Sequence, residues 1–156
     1  MASAPSSARL PPRWFIRAFW VCHRAVYRVT RGRVGLWAPR PGRWGVLRLR
    51  TTGRRSGRER VAIIAYIEDG PDLVVMAMNG WARAEPAWWL NLRAHPDAVV
   101  DLPGGSERAV TAREARGPER ERLWSRWREV EKGDLDAYAV RRAHTPIVVL
   151  EPRGSA

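Results

Sequence analysis

Leu47 and Leu49 alternate with Arg48 and Arg50 in the segment 46–51. Successive strand side chains point to opposite faces, so such a segment must lay its leucines on a core and its arginines in water. Comparable short runs recur along the chain. Residues 61–67 are apolar and β-branched, Asp69-Gly70-Pro71-Asp72 turns the chain, and 73–78 follows, which predicts a three-strand meander. Residues 98–102 and 108–113 predict a hairpin around Pro103-Gly104-Gly105-Ser106, and 146–150 reads as a last buried strand. Short strands joined by tight turns favour an antiparallel barrel over alternating βαβ units. The fold class expected is therefore mainly β (α+β), about six strands with peripheral helices. Helical patterns at 86–94, 118–131 and 135–142 supply those helices, the first opening on Pro86 and ending at His95-Pro96.

A chain of 156 residues with 45% hydrophobic and 28% charged side chains can bury one core without covalent staples. Cys22 is the only cysteine, which excludes a disulfide framework and thiolate metal sites and suits a cytoplasmic compartment. His23, His95 and His144 lack metal-ligand spacing, and no serine sits in a nucleophile elbow. Hydrolysis is thus unsupported, and a bound cofactor has to supply any reactive atom.

The net charge of +12 concentrates anions around the molecule: phosphates, acidic lipids or polycarboxylates. Residues 1–12 read as a disordered lead-in without a signal peptide, 32–152 as the barrel domain and 153–156 as a tail. Between them, 13–31 predicts a basic amphipathic helix. Phe15, Phe19, Cys22, Val26 and Val29 share one face, and Arg13, Arg17, Arg24, Arg28 and Arg31 oppose it. That helix either packs on the barrel or lies on an anionic membrane surface, which would make the protein peripheral at the inner face of the plasma membrane.

The stretch Thr51-Thr52-Gly53-Arg54-Arg55-Ser56-Gly57-Arg58-Glu59-Arg60 joins two expected strands. Glycines let backbone N–H groups approach an anion, and arginines add bidentate contacts to phosphate or carboxylate. The alternative is a solvated basic hairpin tip. A second cluster, Pro86-Ala87-Trp88-Trp89-Leu90-Asn91-Leu92, sets two rings about 100° apart, so that one can enter the core while the other faces a pocket. Its Asn91 either caps locally or offers a donor and an acceptor to a ligand.

Three colinear blocks carry a resemblance: L-R-L-R-T-T-G-R-R-S-G-R-E-R at 47–60, P-A-W-W-L-N-L-R-A-H-P at 86–96 and P-I-V-V-L-E-P at 146–152. In these the chain resembles the deazaflavin (F-420)-dependent nitroreductase / quinone reductase family. The resemblance implies a split β-barrel of the FMN-binding type. It also implies reduction of quinones, nitroaromatics or related apolar enones by hydride from reduced coenzyme F-420. It places Arg54, Arg55, Ser56 and Arg60 on the coenzyme's phosphodiester and glutamate tail, with Thr52, Gly53 and Gly57 also in the coenzyme site. Met76, Ala77 and Met78 would lie along the deazaflavin ring, Trp88 and Asn91 would bound the same cleft, and Tyr138 would stand on the substrate side. An FMN- or haem-binding barrel is one alternative, and a basic nucleic-acid module the lesser one. Monomer and homodimer both remain open.

Overall fold

The computed structural model describes residues 35–80, 82–140, 142 and 144–154. The expected lead-in at 1–12 and helix at 13–31 lie outside the described residues. Six strands form as the alternation requires: β1 (Gly45–Thr52), β2 (Glu59–Asp69), β3 (Asp72–Met76), β4 (Asp97–Asp101), β5 (Glu107–Glu114) and β6 (Ile147–Pro152). Among the described residues three α-helices accompany them: α1 (Ala87–Ala94), α2 (Gly117–Val130) and α3 (Leu135–Ala139). The strands pair antiparallel throughout and close into a barrel in the order β1-β2-β3-β6-β5-β4. Long β2 serves two neighbours. It pairs with β1 from Glu59 to Tyr66 and with β3 only from Ile67 to Asp69.

Two elements end earlier than their sequence patterns suggest. The third strand stops at Met76, because the Met78 N–H turns back to the Met76 carbonyl at 2.9 Å, although Ala77 still donates to Pro146 at 2.9 Å. The last helix stops at Ala139 instead of reaching Arg142, whose backbone N–H closes a tighter turn onto the Ala139 carbonyl at 3.0 Å.

Alternation splits the apolar residues into two clusters. Inside the barrel lie Leu47, Leu49, Tyr66, Leu73, Val75, Val100, Val110, Val148 and Leu150, with Trp88, Trp89 and Leu92 of α1 packed among them. Outside, Ile67, Val74, Met76, Ile147 and Val149 take the apolar faces of α2 and α3, chiefly Leu123, Trp124, Trp127 and Leu135. Each fully buried Leu or Val contributes about 1.5–3 kcal/mol of apolar transfer. Burial, with Glu68 adding to it, pushes the Tyr66 phenol up to about 12, so this interior hydroxyl stays neutral at ordinary pH.

The arginines alternating with Leu47 and Leu49 face outward and find carboxylates. Arg48 and Arg50 both reach Asp101 on β4 at 2.9 Å, and Arg50 also reaches Glu107 at 2.8 Å. On the other side, Arg122 and Arg126 of α2 clasp Asp69 at the β2–β3 turn at 2.7 and 2.6 Å. Arg113 of β5 joins Glu119 and Glu151 at 2.7 and 2.6 Å.

Register fixes which loops share an end. Thr52 pairs with Glu59, Thr51 with Ala98, Met76 with Ile147 and Glu114 with Val148. The β1–β2 turn, the end of β3, the entries to β4 and β6 and helix α1 therefore gather at one end. The Asp69–Asp72 turn and the loop 102–106 lie at the other.

The Arg122 guanidinium, with Arg126 beside it, holds the Asp69 carboxyl below its ordinary value, and Arg113 does the same for Glu119. An unfolded chain takes up those protons more readily, so this contribution to stability is present above the ordinary carboxylate range and is lost as pH falls through the folded values. Thermal melts should show the midpoint dropping as pH is lowered from about 5 to about 3, and Asp69→Asn should flatten part of that acid limb. An acid limb of unchanged steepness in Asp69→Asn would remove Asp69 from this account.

Candidate functional site

The β1–β2 turn has a defined shape despite its exposure. The Gly53 carbonyl accepts from the N–H groups of Ser56 and Gly57 at 3.2 and 2.8 Å, and the Gly53 N–H donates to the Arg58 carbonyl at 2.8 Å. A Cβ at Gly53 would meet Ser56 Oγ at 2.9 Å and the Arg58 carbonyl at 3.0 Å, and Gly57 holds a φ of +65°. Both glycines are thus required by the fold of the turn. Ser56 Oγ accepts from the Arg58 N–H at 3.4 Å and from Arg60 Nη2 at 3.3 Å, which gathers Arg60 over the same loop.

The turn is tied to the barrel end by one side chain. Asn91 of α1 is 4% exposed, and its Oδ1 accepts from the Arg54 backbone N–H at 3.2 Å and from Arg54 Nη1 at 3.4 Å. Its Nδ2 donates to Thr51 Oγ1 at 3.2 Å, while Thr51 donates to the Arg60 carbonyl at 3.4 Å. The carboxamide is used in the donor and acceptor roles its chemistry allows, both directed at the turn.

Electrostatically the turn stands apart from the outer wall of the barrel. Arg54, Arg55, Arg58 and Arg60 are exposed, and none has an ion-pair partner among the described residues. Four exposed guanidinium groups on one turn without ion-pair partners leave a positive field that an anion can relieve.

Across the same end, two buried polar side chains precede β6. Arg142 is 6% exposed and donates from Nη1 to the Ala77 carbonyl at 3.0 Å, and its Nε is buried with no partner. Thr145 is 3% exposed with an unpartnered buried Oγ1, and its carbonyl accepts from Arg120 Nη2 at 3.3 Å.

The residues expected from sequence divide by location. Thr52 is half-buried and Gly53 buried, whereas Arg54, Arg55, Ser56, Gly57 and Arg60 are exposed on the turn. Ala77 packs into the barrel interior, but Met76 and Met78 belong to the outer cluster beneath α2 and α3. Trp88 does not stand apart from Trp89 to face a pocket. Both rings are buried in the interior cluster, because a helix laid across a barrel mouth buries more than one face. Asn91 resolves to a tether between α1 and the turn. Tyr138 lies in α3, and its side chain is outside the described residues. Sequence reasoning missed Thr51 as the partner of Asn91, and it missed Arg142 and Thr145. Nothing local marks Arg142, one arginine among many, as the one that enters the interior.

A closed antiparallel barrel presenting a shaped basic turn beside an aromatic-packed mouth defines a split-barrel protein with an exposed basic end. Known proteins agree. A family model described as F420H(2)-dependent quinone reductase matches residues 20–152. An F420H(2)-dependent quinone reductase of Mycobacterium tuberculosis is 32% identical over 148 residues, covering 90% of this chain and 97% of its own. A solved F420-H2 dependent reductase superposes with a TM-score of 0.62 at 26% identity, over 76% of this chain and 99% of its own. Another solved chain, described as a domain-swapped dimer, superposes with a TM-score of 0.63 at 25% identity, over 86% of this chain and 99% of its own. This chain belongs to the F420H(2)-dependent quinone reductase family.

If Asn91 is what holds the turn, Asn91→Ala should free the Arg54 amide. Hydrogen exchange at that amide is expected to accelerate by about tenfold or more, while amides in the middle of β1 keep their protection. Equal acceleration along all of β1 would instead show global loosening.

Proposed function

We propose that this protein is an oxidoreductase that binds coenzyme F-420 at the α1 end of its barrel and uses the reduced coenzyme to reduce a quinone or a related apolar acceptor. The observation that carries this reading is the arginine turn, exposed, free of carboxylate partners and held in one shape by Asn91. Supporting it are the family membership and the naming of its relatives as F420H(2)-dependent reductases.

The residues present fit such a coenzyme. Its phosphodiester and glutamate tail are polyanionic, and Arg54, Arg55 and Arg60 supply charge without local neutralisation. Gly53 and Gly57 keep side-chain bulk away from the backbone where an anion would approach, and Thr52 and Ser56 add hydroxyls. At the end of β3 the backbone of 76–78 would flank a flat ring, with the Met76 side chain buried in the outer cluster, Ala77 in the interior and Met78 half-buried. When bound, reduced deazaflavin supplies hydride chemistry that no side chain here provides. The chain's own part is to hold the tail on the turn, to set the ring against the β3 end and to keep water from it. Within this reading Tyr138 stands on the acceptor side. Oligomeric state enters the same reading: a structural relative described as a domain-swapped dimer favours a homodimer.

Among the described residues no helix is long and apolar enough to cross a membrane. We further read residues 13–31 as a surface-lying basic helix that gives access to a lipid-soluble quinone, on the strength of the opposed apolar and arginine faces in the sequence. Vesicles containing anionic lipid should then sediment the full chain, and a chain lacking 1–31 should stay in the supernatant. Equal sedimentation of both would end the membrane reading.

Fluorescence titration tests the coenzyme assignment directly. Oxidised F-420 should bind more tightly than FMN or a short oligonucleotide, and Arg54→Ala and Arg55→Ala should each weaken it by about tenfold or more. A deazaflavin ring lacking phosphate and glutamates should be indifferent to both substitutions. Preference for FMN or the oligonucleotide, or unchanged F-420 affinity in both variants, would overturn the reading.

A further inference from the structure

A guanidinium in the protein interior is costly unless a counter-charge or a full set of acceptors surrounds it. On the outer wall of this barrel such a counter-charge is present for two arginines of β1. The half-buried Arg48 and Arg50 share the carboxylate of Asp101, itself 7% exposed. Arg142 differs. At 6% exposure it has one neutral acceptor, the Ala77 carbonyl at 3.0 Å, a buried Nε without partner, and no ion pair among the described residues.

Low exposure leaves little room for solvent to make up the difference. Pro146, just before β6, is stitched to the end of β3, since the Ala77 N–H donates to the Pro146 carbonyl at 2.9 Å. Thr145, the preceding residue, adds a second buried polar atom without a partner, its Oγ1. Arg120, held over the Trp124 ring at 5.4 Å, reaches the Thr145 carbonyl and brings another positive charge to that side. The β3 end thus holds a buried cation and an idle hydroxyl. By register it lies at the same barrel end as the arginine turn, but on the far side of β2 from β1.

We propose that Arg142, assisted by Thr145, is a receptor for an anionic oxygen on a planar conjugated ring, a second anion site distinct from the Arg54–Arg60 turn. This rests on the coenzyme reading above and deepens it: the turn takes the acidic tail, and Arg142 takes negative charge delocalised onto ring oxygen. That oxygen belongs either to the coenzyme ring or to the reduced acceptor. In a low-dielectric interior a single cation a few ångströms away favours the ionised form strongly.

The test uses the full chain and a deazaflavin ring without phosphate or glutamates, which cannot engage the turn. Wild-type protein should bind that ring more tightly above the ring's own acid dissociation than below it. Arg142→Gln should lose about tenfold in affinity and most of the pH dependence, and Arg142→Lys, which keeps the charge, should stay within about threefold of wild type. Should the ring affinity be unmoved while the quinone KM rises in Arg142→Gln and recovers in Arg142→Lys, the oxygen is the acceptor's. Thermal melts confirm folding of each variant. If Arg142→Gln fails to fold, the wild-type pH dependence together with the Arg142→Lys affinity and quinone KM decides. Ring affinity in wild type that is flat or falls with rising pH, with quinone KM unchanged in the substituted proteins, would overturn the proposal. Failure of intact F-420 to bind wild type at all would instead overturn the coenzyme reading beneath it.

Discussion

Barrel closure is the constraint on which the rest depends. Once β1 pairs with both β2 and β4, no edge is left open, and every second side chain must enter a volume too small and too apolar to hold a charge. Leu47 and Leu49 go in, so Arg48 and Arg50 have to go out, where Asp101 and Glu107 meet them. The same alternation turns Val74, Met76 and Val149 outward on the other side, which would leave an apolar wall in water. Helices α2 and α3 exist to cover that wall, and the Asp69 clasp by Arg122 and Arg126 pins the cover to the β2–β3 turn.

Closure also decides where chemistry can occur. A six-stranded barrel of this size is filled by its own side chains, so a ligand has to bind at an end or on the wall. One end is plugged by Trp88, Trp89 and Leu92, and the plugging helix brings Asn91 to Thr51 and Arg54. The opposite end carries short turns and the Asp69 ion pairs. Arg48, Arg50 and Arg113 on the walls are met by carboxylates, whereas, among the described residues, none meets the four arginines of the β1–β2 turn at the α1 end.

Strand positions were readable because the period-two signal is local. The hairpin around Pro103–Gly105 and the meander of β1 to β3 needed only neighbouring residues to announce them. Element ends were less readable. Whether β3 continued past Met76 depended on the Met78 N–H choosing a local carbonyl, and whether α3 continued depended on the Arg142 N–H closing a tighter turn onto Ala139 while its side chain reached the Ala77 carbonyl at the end of β3. The tandem tryptophans show the same limit, since helical spacing separates two rings by angle but does not say how much of a helix a barrel mouth will bury.

From residue order alone come the alternation that demands an antiparallel barrel, the two glycines and four arginines of the β1–β2 turn, and the blocks by which the family is recognised. These are short-range properties, set by backbone sterics and by the two-residue period of a strand. Tertiary structure decided which arginines would be neutralised, that Asn91 would spend its carboxamide on the turn, and that Arg142 would be taken inside. Those outcomes turn on distances between residues far apart in the chain, such as Asn91 with Thr51 and Arg142 with Ala77. Such distances come into being only when the six strands close on one another.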